Sequence, residues 1–204
     1  MFIMRLFSDP VFFFTVVISV GFSVCVHEFC HAYAAMKCGD STAADAGHLT
    51  LNPFKQMGIF SLIMLLLLGL SWGAVPVNNA LLSRGKRIIV SLAGPLANLG
   101  MFIAGCLLCL IFISSGVKFG VMCMVVFAQL NLVLFVINLM PVPGFDGGNV
   151  LAQIVPMHKL NNSEVAKGFM IGMILLLFYF IDEVYKFAAE SVHFVVNFLG
   201  TVLL

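Results

Sequence analysis

Long apolar stretches, interrupted by only a few short polar segments, dominate the chain. Runs without a charged residue fill residues 10–26, 56–83, 88–117, 119–145 and 168–181. Several of these runs exceed the roughly 20 residues that a helix needs to cross the hydrocarbon layer of a bilayer. The pattern predicts an all-α polytopic membrane protein with about five to six membrane segments.

Polar connectors divide this sequence into the expected membrane elements. The segments cover about residues 10–36, 57–75, 88–114, 119–140 and 168–181, with a shorter apolar tail at 188–204. Between the first two segments, residues 46–52 alternate apolar and polar side chains, which predicts a short membrane-associated strand or hairpin. No polar segment is long enough for a second domain, so we expect residues 1–204 to form a single membrane domain. The first apolar segment ends in polar residues without a small-residue cleavage pattern, so we expect it to remain in the mature protein.

Composition agrees with a membrane protein and excludes other classes. Hydrophobic residues make up 62% of the 204 residues and charged residues only 9%, which is more apolar surface than a soluble core can bury. The net charge is +1 with scattered Lys and Arg, so nucleic acid is not an expected partner. The six cysteines lack the spacing of a disulfide framework, and we expect Cys106 and Cys109 to be small buried residues of an apolar helix.

The most informative polar cluster is HEFCH, at the end of the first apolar segment. His27 and His31 are four residues apart, so both imidazoles project from one helical face. Two such imidazoles can bind one zinc ion, while Glu28 beside them can hold a water molecule and accept its proton. Polar and charged groups are costly inside a bilayer, so the cluster predicts a functional site.

A catalytic zinc usually has three protein ligands, and Asp146 is the candidate for the third. It is the only acidic residue between Asp45 and Glu164, and it stands in NLMPVPGFDGG. The prolines and glycines break the fourth apolar segment, and non-helical backbone at membrane depth requires surrounding protein or a water-filled cavity. A carboxylate on a broken helix fits a metal site, with an interfacial turn as the alternative interpretation.

Four ordered motifs resemble the site-2 protease family of intramembrane zinc metalloproteases, in its compact branch without PDZ or CBS domains. They are HEFCHAYAAMKCGDSTAADAGHLTLNPFKQ, SWGAVPVNN, SLAGPLANLG and NLMPVPGFDGG, within about residues 15–155. The resemblance implies regulated hydrolysis of peptide bonds within or at the edge of the bilayer. Its implied partners are the lipid bilayer and substrates that are transmembrane proteins or signal peptides. It further implies that an extended substrate pairs with a strand near the site, a role that we assign to residues 46–52.

The resemblance also assigns residues to the site. One zinc ion per chain would be bound by His27, His31 and Asp146, with Glu28 as the general base. The catalytic set would further include two asparagines, Asn138, which would orient the substrate or stabilise the oxyanion, and Asn98.

Simpler interpretations exist for several polar residues. Asn98 and Asn138 can instead form hydrogen bonds between helices. Gly94 and Pro95 fit a close approach of helices better than a contact with substrate. Three further histidines, at positions 48, 158 and 193, are expected at the surface, with His48 kept as a minor site candidate.

A shared metal constrains the topology. If His31 and Asp146 bind one ion, the ends of segments one and four lie on one side of the membrane, and so does the start of segment three. Residues 57–75 are then expected to re-enter and return to the side that they left. The cluster of Arg84, Lys86 and Arg87 places that side toward the cytoplasm by the positive-inside rule. We expect a prokaryotic cytoplasmic membrane.

The sequence is also compatible with two other functions. One is a non-proteolytic membrane scaffold or transporter that uses the same polar cluster. The intact Glu28 disfavours a degenerate protease, and no pair of interrupted segments indicates an inverted-repeat transporter. The other is an HExxH membrane protease whose third ligand is a downstream glutamate. The candidates for that ligand are Glu164, Glu183 and Glu190.

Overall fold

The computed structural model describes residues 2–155 and 164–203, and the regular elements in these ranges are helices. Six helices organise the structure: α1 (Pro10–Cys38), α2 (Gly58–Leu68), α3 (Arg84–Ser114), α4 (Lys118–Asn138), α5 (Asp146–Ile154) and α6 (Glu164–Leu203). Short helical turns lie at Phe2–Met4, Arg5–Ser8, Thr42–Asp45, Pro53–Gln56 and Asn79–Leu81. The prediction of an all-helical fold class is confirmed for the described residues.

Three of these helices, α1, α3 and α4, are long and apolar enough to cross a membrane. Helix α2 has 11 residues, so it is about 16 Å long and covers roughly half of a 30 Å hydrocarbon layer. Helix α2 is too short to span the membrane, which agrees with the expectation that residues 57–75 do not make a single complete crossing. The re-entry of this segment and the total of five to six membrane segments stay predictions.

Helix α1 has a clear start and a clear end. The Asp9 side chain accepts a hydrogen bond from the Phe12 N–H at 3.1 Å, and Pro10 occupies the first turn, where its missing N–H costs nothing. At the other end, Gly39 adopts a left-handed conformation with φ 101°, the usual glycine termination of a helix. The ammonium of Lys86 on α3 donates to the Cys38 carbonyl at 2.8 Å, which ties this end of α1 to α3.

Apolar packing holds the helices around the site. Helices α3 and α4 form a hairpin through a turn that contains Gly116, and α6 packs against both. One core cluster joins these three helices and contains Phe102, Cys106, Ala128, Leu132, Val133, Ala188 and Val192. A second cluster joins α1 to α2 and contains Val16, Val20, Val24, Cys25, Met57 and Leu65. Cys106 and Cys109 are buried free thiols, as expected.

Helix α6 differs from the prediction. The sequence suggested a segment at 168–181 and a separate tail at 188–204, whereas one helix of 40 residues runs from Glu164 to Leu203. Residues 182–187 contain neither proline nor glycine. Lys186 Nζ and Glu183 Oε1 form an ion pair one helical turn apart at 2.7 Å, so the charges mark a polar stretch of a helix and not a break.

The predicted strand at 46–52 is also wrong, because these residues form turns and irregular backbone. The buried side chain of Gln56 donates to the carbonyls of His48 at 2.9 Å and Thr50 at 2.6 Å. A neighbouring strand would need carbonyls of this kind for its ladder. Here a single side chain takes them, and the alternating sequence forms a compact loop.

Candidate active site

The HEFCH cluster lies deep in the protein, toward the C-terminal end of α1. His27 is 17 residues after Pro10, which places it about 26 Å along the helix axis. His27, Glu28 and His31 expose only 7%, 7% and 8% of their surface. Such burial of three polar side chains requires partners inside the bundle.

Asp146 reaches this cluster because α4 ends early. Helix α4 stops at Asn138, residues 139–145 form turns, and Asp146 is the first residue of α5. Its Oδ2 lies 3.1 Å from His27 Nε2 and 3.2 Å from His31 Nε2, and the two Nε2 atoms are 3.0 Å apart. Residues separated by 115 positions in sequence therefore converge on one point.

These three atoms fit a zinc site. Tetrahedral zinc, with bonds of about 2.0–2.2 Å to nitrogen and oxygen, holds its donors about 3.3–3.6 Å apart, slightly wider than the separations found here. Two imidazole nitrogens and one carboxylate oxygen are a common donor set of catalytic zinc. Lone pairs that converge at 3.0–3.2 Å repel one another, so a cation shared by all three is the arrangement that stabilises them.

Hydrogen bonds on the far side of each imidazole orient these donors. His31 Nδ1 lies 2.7 Å from the Val90 carbonyl oxygen, and His27 Nδ1 lies 2.6 Å from Asn98 Oδ1. A carbonyl oxygen only accepts, so each Nδ1 carries the proton and each Nε2 keeps its lone pair for the site. Partners of this kind fix the ring orientation of metal-binding histidines.

Gly94 explains how α3 comes close enough to supply these partners. A Cβ atom at this position would overlap the Nε2 atoms of both His27 and His31. Pro95 follows, and its missing N–H leaves the Ser91 carbonyl without its usual helical donor. Both residues are buried. The expectation that Gly94 permits close approach is confirmed.

The site opens into a cavity of about 1090 Å³. Glu28 and Asn138 both line it, as does most of residues 69–77, here called the connector segment. The connector segment passes directly against Glu28, because a Cβ at Gly73 would overlap the glutamate side chain. Residues 46–52, which the sequence favoured for this position, are not among the lining residues.

Several contributors were missed by sequence reasoning. Asn131 on α4 is fully buried and accepts a hydrogen bond from Asn98 Nδ2 at 3.1 Å. The sequence carried a signal for it, since Asn131 is one of three side-chain amides in the otherwise largely apolar run 119–145. The sequence does not reveal the roles of Gly73 and Gln56. Gly73 matters because its backbone passes against Glu28, and Gln56 matters because its side chain binds the backbone of a neighbouring loop.

Other candidates lie away from the metal-binding group. His48 Nδ1 contacts Gln56 Oε1 at 3.1 Å and does not line the cavity. His193 is exposed on α6, and His158 lies outside the described residues. The exposed Glu183 pairs with Lys186, and Glu190 borders a separate shallow pocket. Among the described residues, the group of side chains that could hold a metal ion consists of His27, His31 and Asp146.

Comparisons with known proteins identify the family of this chain. The pattern of peptidase family M50 matches residues 116–180. The "Putative zinc metalloprotease YwhC" of Bacillus subtilis is 34% identical over 174 residues, which cover 79% of this chain and 79% of that protein. The "Putative zinc metalloprotease Rip2" of Mycobacterium tuberculosis (H37Rv) and that of Mycolicibacterium smegmatis are each 33% identical, over 76% of this chain and 63% of their own length. No solved structure matches the chain significantly.

A helical membrane bundle with an HExxH helix and a remote carboxylate defines a membrane metalloprotease. The chain belongs to peptidase family M50, the site-2 protease family. The resemblance to the site-2 protease family, drawn from the four motifs, is thereby confirmed. The family and the names of these relatives imply zinc as the metal.

Proposed function

We propose that this chain is an intramembrane zinc endopeptidase that hydrolyses transmembrane segments of other proteins within or at the edge of the bilayer. One observation carries the proposal: His27, His31 and Asp146 place three donor atoms 3.0–3.2 Å apart in the cavity that Glu28 lines. The HExxH sequence alone supplies two of these donors. The third comes from a helix start more than 100 residues later.

The proposed chemistry divides between the metal and Glu28. Zinc held by the three ligands supplies a Lewis acid that acidifies water and polarises a carbonyl. Glu28 would accept the proton of the attacking water and deliver it to the leaving amine. The connector segment would help to keep bulk water from this carboxylate, because Gly73 lies directly against it.

Asn138 is proposed to hold the scissile peptide. It is the last residue of α4, it is half-buried, and it lines the cavity. Within the described part of the chain, its side-chain amide has no hydrogen-bond partner, in contrast to Asn98. A free amide at the cavity wall can donate to a peptide carbonyl as negative charge develops there.

The connector segment, and not residues 46–52, is the proposed docking edge for an extended substrate. Every second backbone N–H of residues 72–75 forms a hydrogen bond within the protein. The N–H of Trp72 donates to Ser61 Oγ at 2.9 Å, and that of Ala74 donates to the Gln56 carbonyl at 3.2 Å. Pro76 has no N–H. In extended backbone successive N–H groups point to opposite sides, so those of Gly73 and Val75 would face the cavity. An unwound substrate could pair with them by strand addition.

Substrates of this site are proposed to be transmembrane proteins or signal peptides. A substrate helix hides its backbone in internal hydrogen bonds, so it must unwind before attack. The active site is proposed to face the cytoplasm of a prokaryotic inner membrane, because Arg84, Lys86 and Arg87 cluster at the start of α3 and cationic loops favour that side.

The decisive experiment replaces Glu28 with Gln in the full chain reconstituted in lipid with a single-span reporter. Glu28→Gln removes the proton acceptor but none of the three ligands, so we expect cleavage to fall at least 100-fold while the zinc content stays near one per chain. The matched control is Glu183→Gln, since Glu183 is exposed on α6 with 61% of its side chain accessible. That variant should cleave at the wild-type rate.

Two results would contradict the proposal. If Glu28→Gln cleaves the reporter as fast as wild type, Glu28 is not the general base. If the wild-type chain contains zinc but cleaves no membrane reporter, a scaffold function replaces the protease.

Orientation is tested separately by cysteine-accessibility labelling. Lys86 and Lys118 begin α3 and α4 of one hairpin, so cysteines at these positions should react from opposite sides, the first from the cytoplasm. Labelling of both from one side would contradict the topology.

A further inference from the structure

A line of hydrogen bonds runs from the metal site into the interior of the bundle. It starts at His27 Nδ1, passes through Asn98 on α3 and Asn131 on α4, and ends at the Phe127 carbonyl. The three separations are 2.6, 3.1 and 2.9 Å. Both asparagines are fully buried, so water does not compete for these bonds.

Each hydrogen bond in this line has a fixed donor and a fixed acceptor, because the line ends at a backbone carbonyl. The Phe127 carbonyl can only accept, so Asn131 turns its Nδ2 toward it and presents Oδ1 to Asn98. Asn98 must then donate through Nδ2 and present its own Oδ1 to His27. His27 Nδ1 consequently holds the proton, and its Nε2 lone pair faces Asp146.

We propose that Asn131 is a positioning residue that fixes the tautomer and ring orientation of His27 through Asn98. Asn131 is not among the cavity-lining residues or the three donor side chains, and the bond from Asn98 links it to His27. Without it, the Asn98 amide loses its only acceptor among the described residues and is free to rotate. A rotated amide would present N–H groups to His27 Nδ1, which favours the tautomer that protonates Nε2.

This inference rests on the proposed zinc site and makes a claim about metal affinity. Partners that orient a metal-binding histidine typically change metal affinity 10–100-fold when they are removed. A simple bond between α3 and α4 would affect only the stability of the bundle. Zinc affinity and stability therefore separate the two roles.

The test measures zinc dissociation constants of the purified full chain in detergent, by competition with a chelator of known affinity. Asn131→Leu keeps the branched skeleton of the side chain but removes both the acceptor for Asn98 and the donor to Phe127, and we expect it to weaken zinc binding 10–100-fold. Leu132→Ala is the matched control, because the neighbouring Leu132 is also buried on α4 but lies outside the line. It should lower the thermal midpoint and leave zinc affinity unchanged.

A second variant and a spectrum complete the test. As the carboxylic acid, the side chain of Asn131→Asp can still donate to the Phe127 carbonyl and accept from Asn98, so its zinc affinity should return to within about threefold of wild type. The visible absorption of the cobalt-substituted chain should change in Asn131→Leu and not in Leu132→Ala, because it reports ligand geometry. Equal zinc affinity of Asn131→Leu and wild type would overturn the inference, as would equal weakening by Leu132→Ala. A wild-type chain that binds no zinc would instead refute the proposed function.

Discussion

Gly94→Ala tests the close approach of α3 to the two imidazoles of the site. A Cβ at this position would lie 2.5 Å from His27 Nε2 and closer still to His31 Nε2, whereas real Cβ contacts almost never fall below 3.0 Å. The ligand nitrogens must therefore move by at least half an ångström, or α3 must withdraw. Movement of this size is at the limit that functional sites tolerate.

The magnitude follows from the cost of overpacking, which is about 1–3 kcal/mol. If this cost destabilises only the zinc-bound arrangement of the imidazoles, zinc affinity drops roughly 5–150-fold, because each 1.4 kcal/mol corresponds to a factor of ten. Proteolysis should fall at least as much, because the same nitrogens also place the metal relative to Glu28. Zinc content after dialysis against a chelator and cleavage of a membrane reporter are the two measurements.

Gly100→Ala is the matched control, because it changes the same helix at a position where nothing lies within 4 Å of the new Cβ. Alanine favours helix there by about 1 kcal/mol, so this variant should keep both zinc and activity. If Gly94→Ala retains the zinc affinity and cleavage rate of Gly100→Ala, the close approach of α3 to the imidazoles is refuted.

Three further predictions concern neighbouring residues. Gly73→Ala should lower kcat with zinc retained, because the new Cβ overlaps the Glu28 side chain; unchanged kcat would remove the connector segment from the site. Asp146→Ala should release zinc and Glu164→Ala should not, as metal analysis will show; the reverse would support a glutamate ligand. Burial tends to raise the pKa of Asp40, but hydrogen bonds from Thr42 and the Asn78 N–H outweigh it and lower that pKa. Asp40 should therefore stabilise the fold above its ordinary pKa of 3.8 and lose this effect as the pH falls through its lowered native pKa. The thermal midpoint of wild type relative to Asp40→Asn should show this loss on acidification, and a constant difference would refute it.

The local sequence was sufficient to predict those features that depend on helical periodicity or on a helix-breaking proline. Two histidines four residues apart must share a helical face, and the prolines around position 142 must end a helix. These rules place His27, His31 and the break before Asp146 as the structure has them. The same rules failed at 46–52, because the Gln56 side chain takes the carbonyls that a strand ladder would use.

The sequence by itself determined that this is a helical membrane protein, and it predicted the metal ligands and the general base. Only the tertiary structure decided which backbone lines the cavity and which groups orient the ligands. The reason is that the contacting residues are far apart in sequence. The hydrogen bond between His31 and Val90 joins residues 59 positions apart, and the one between His27 and Asn98 joins residues 71 positions apart. Contacts of this range depend on how whole helices pack, and a glycine such as Gly94 acquires its role only when another helix lies against it.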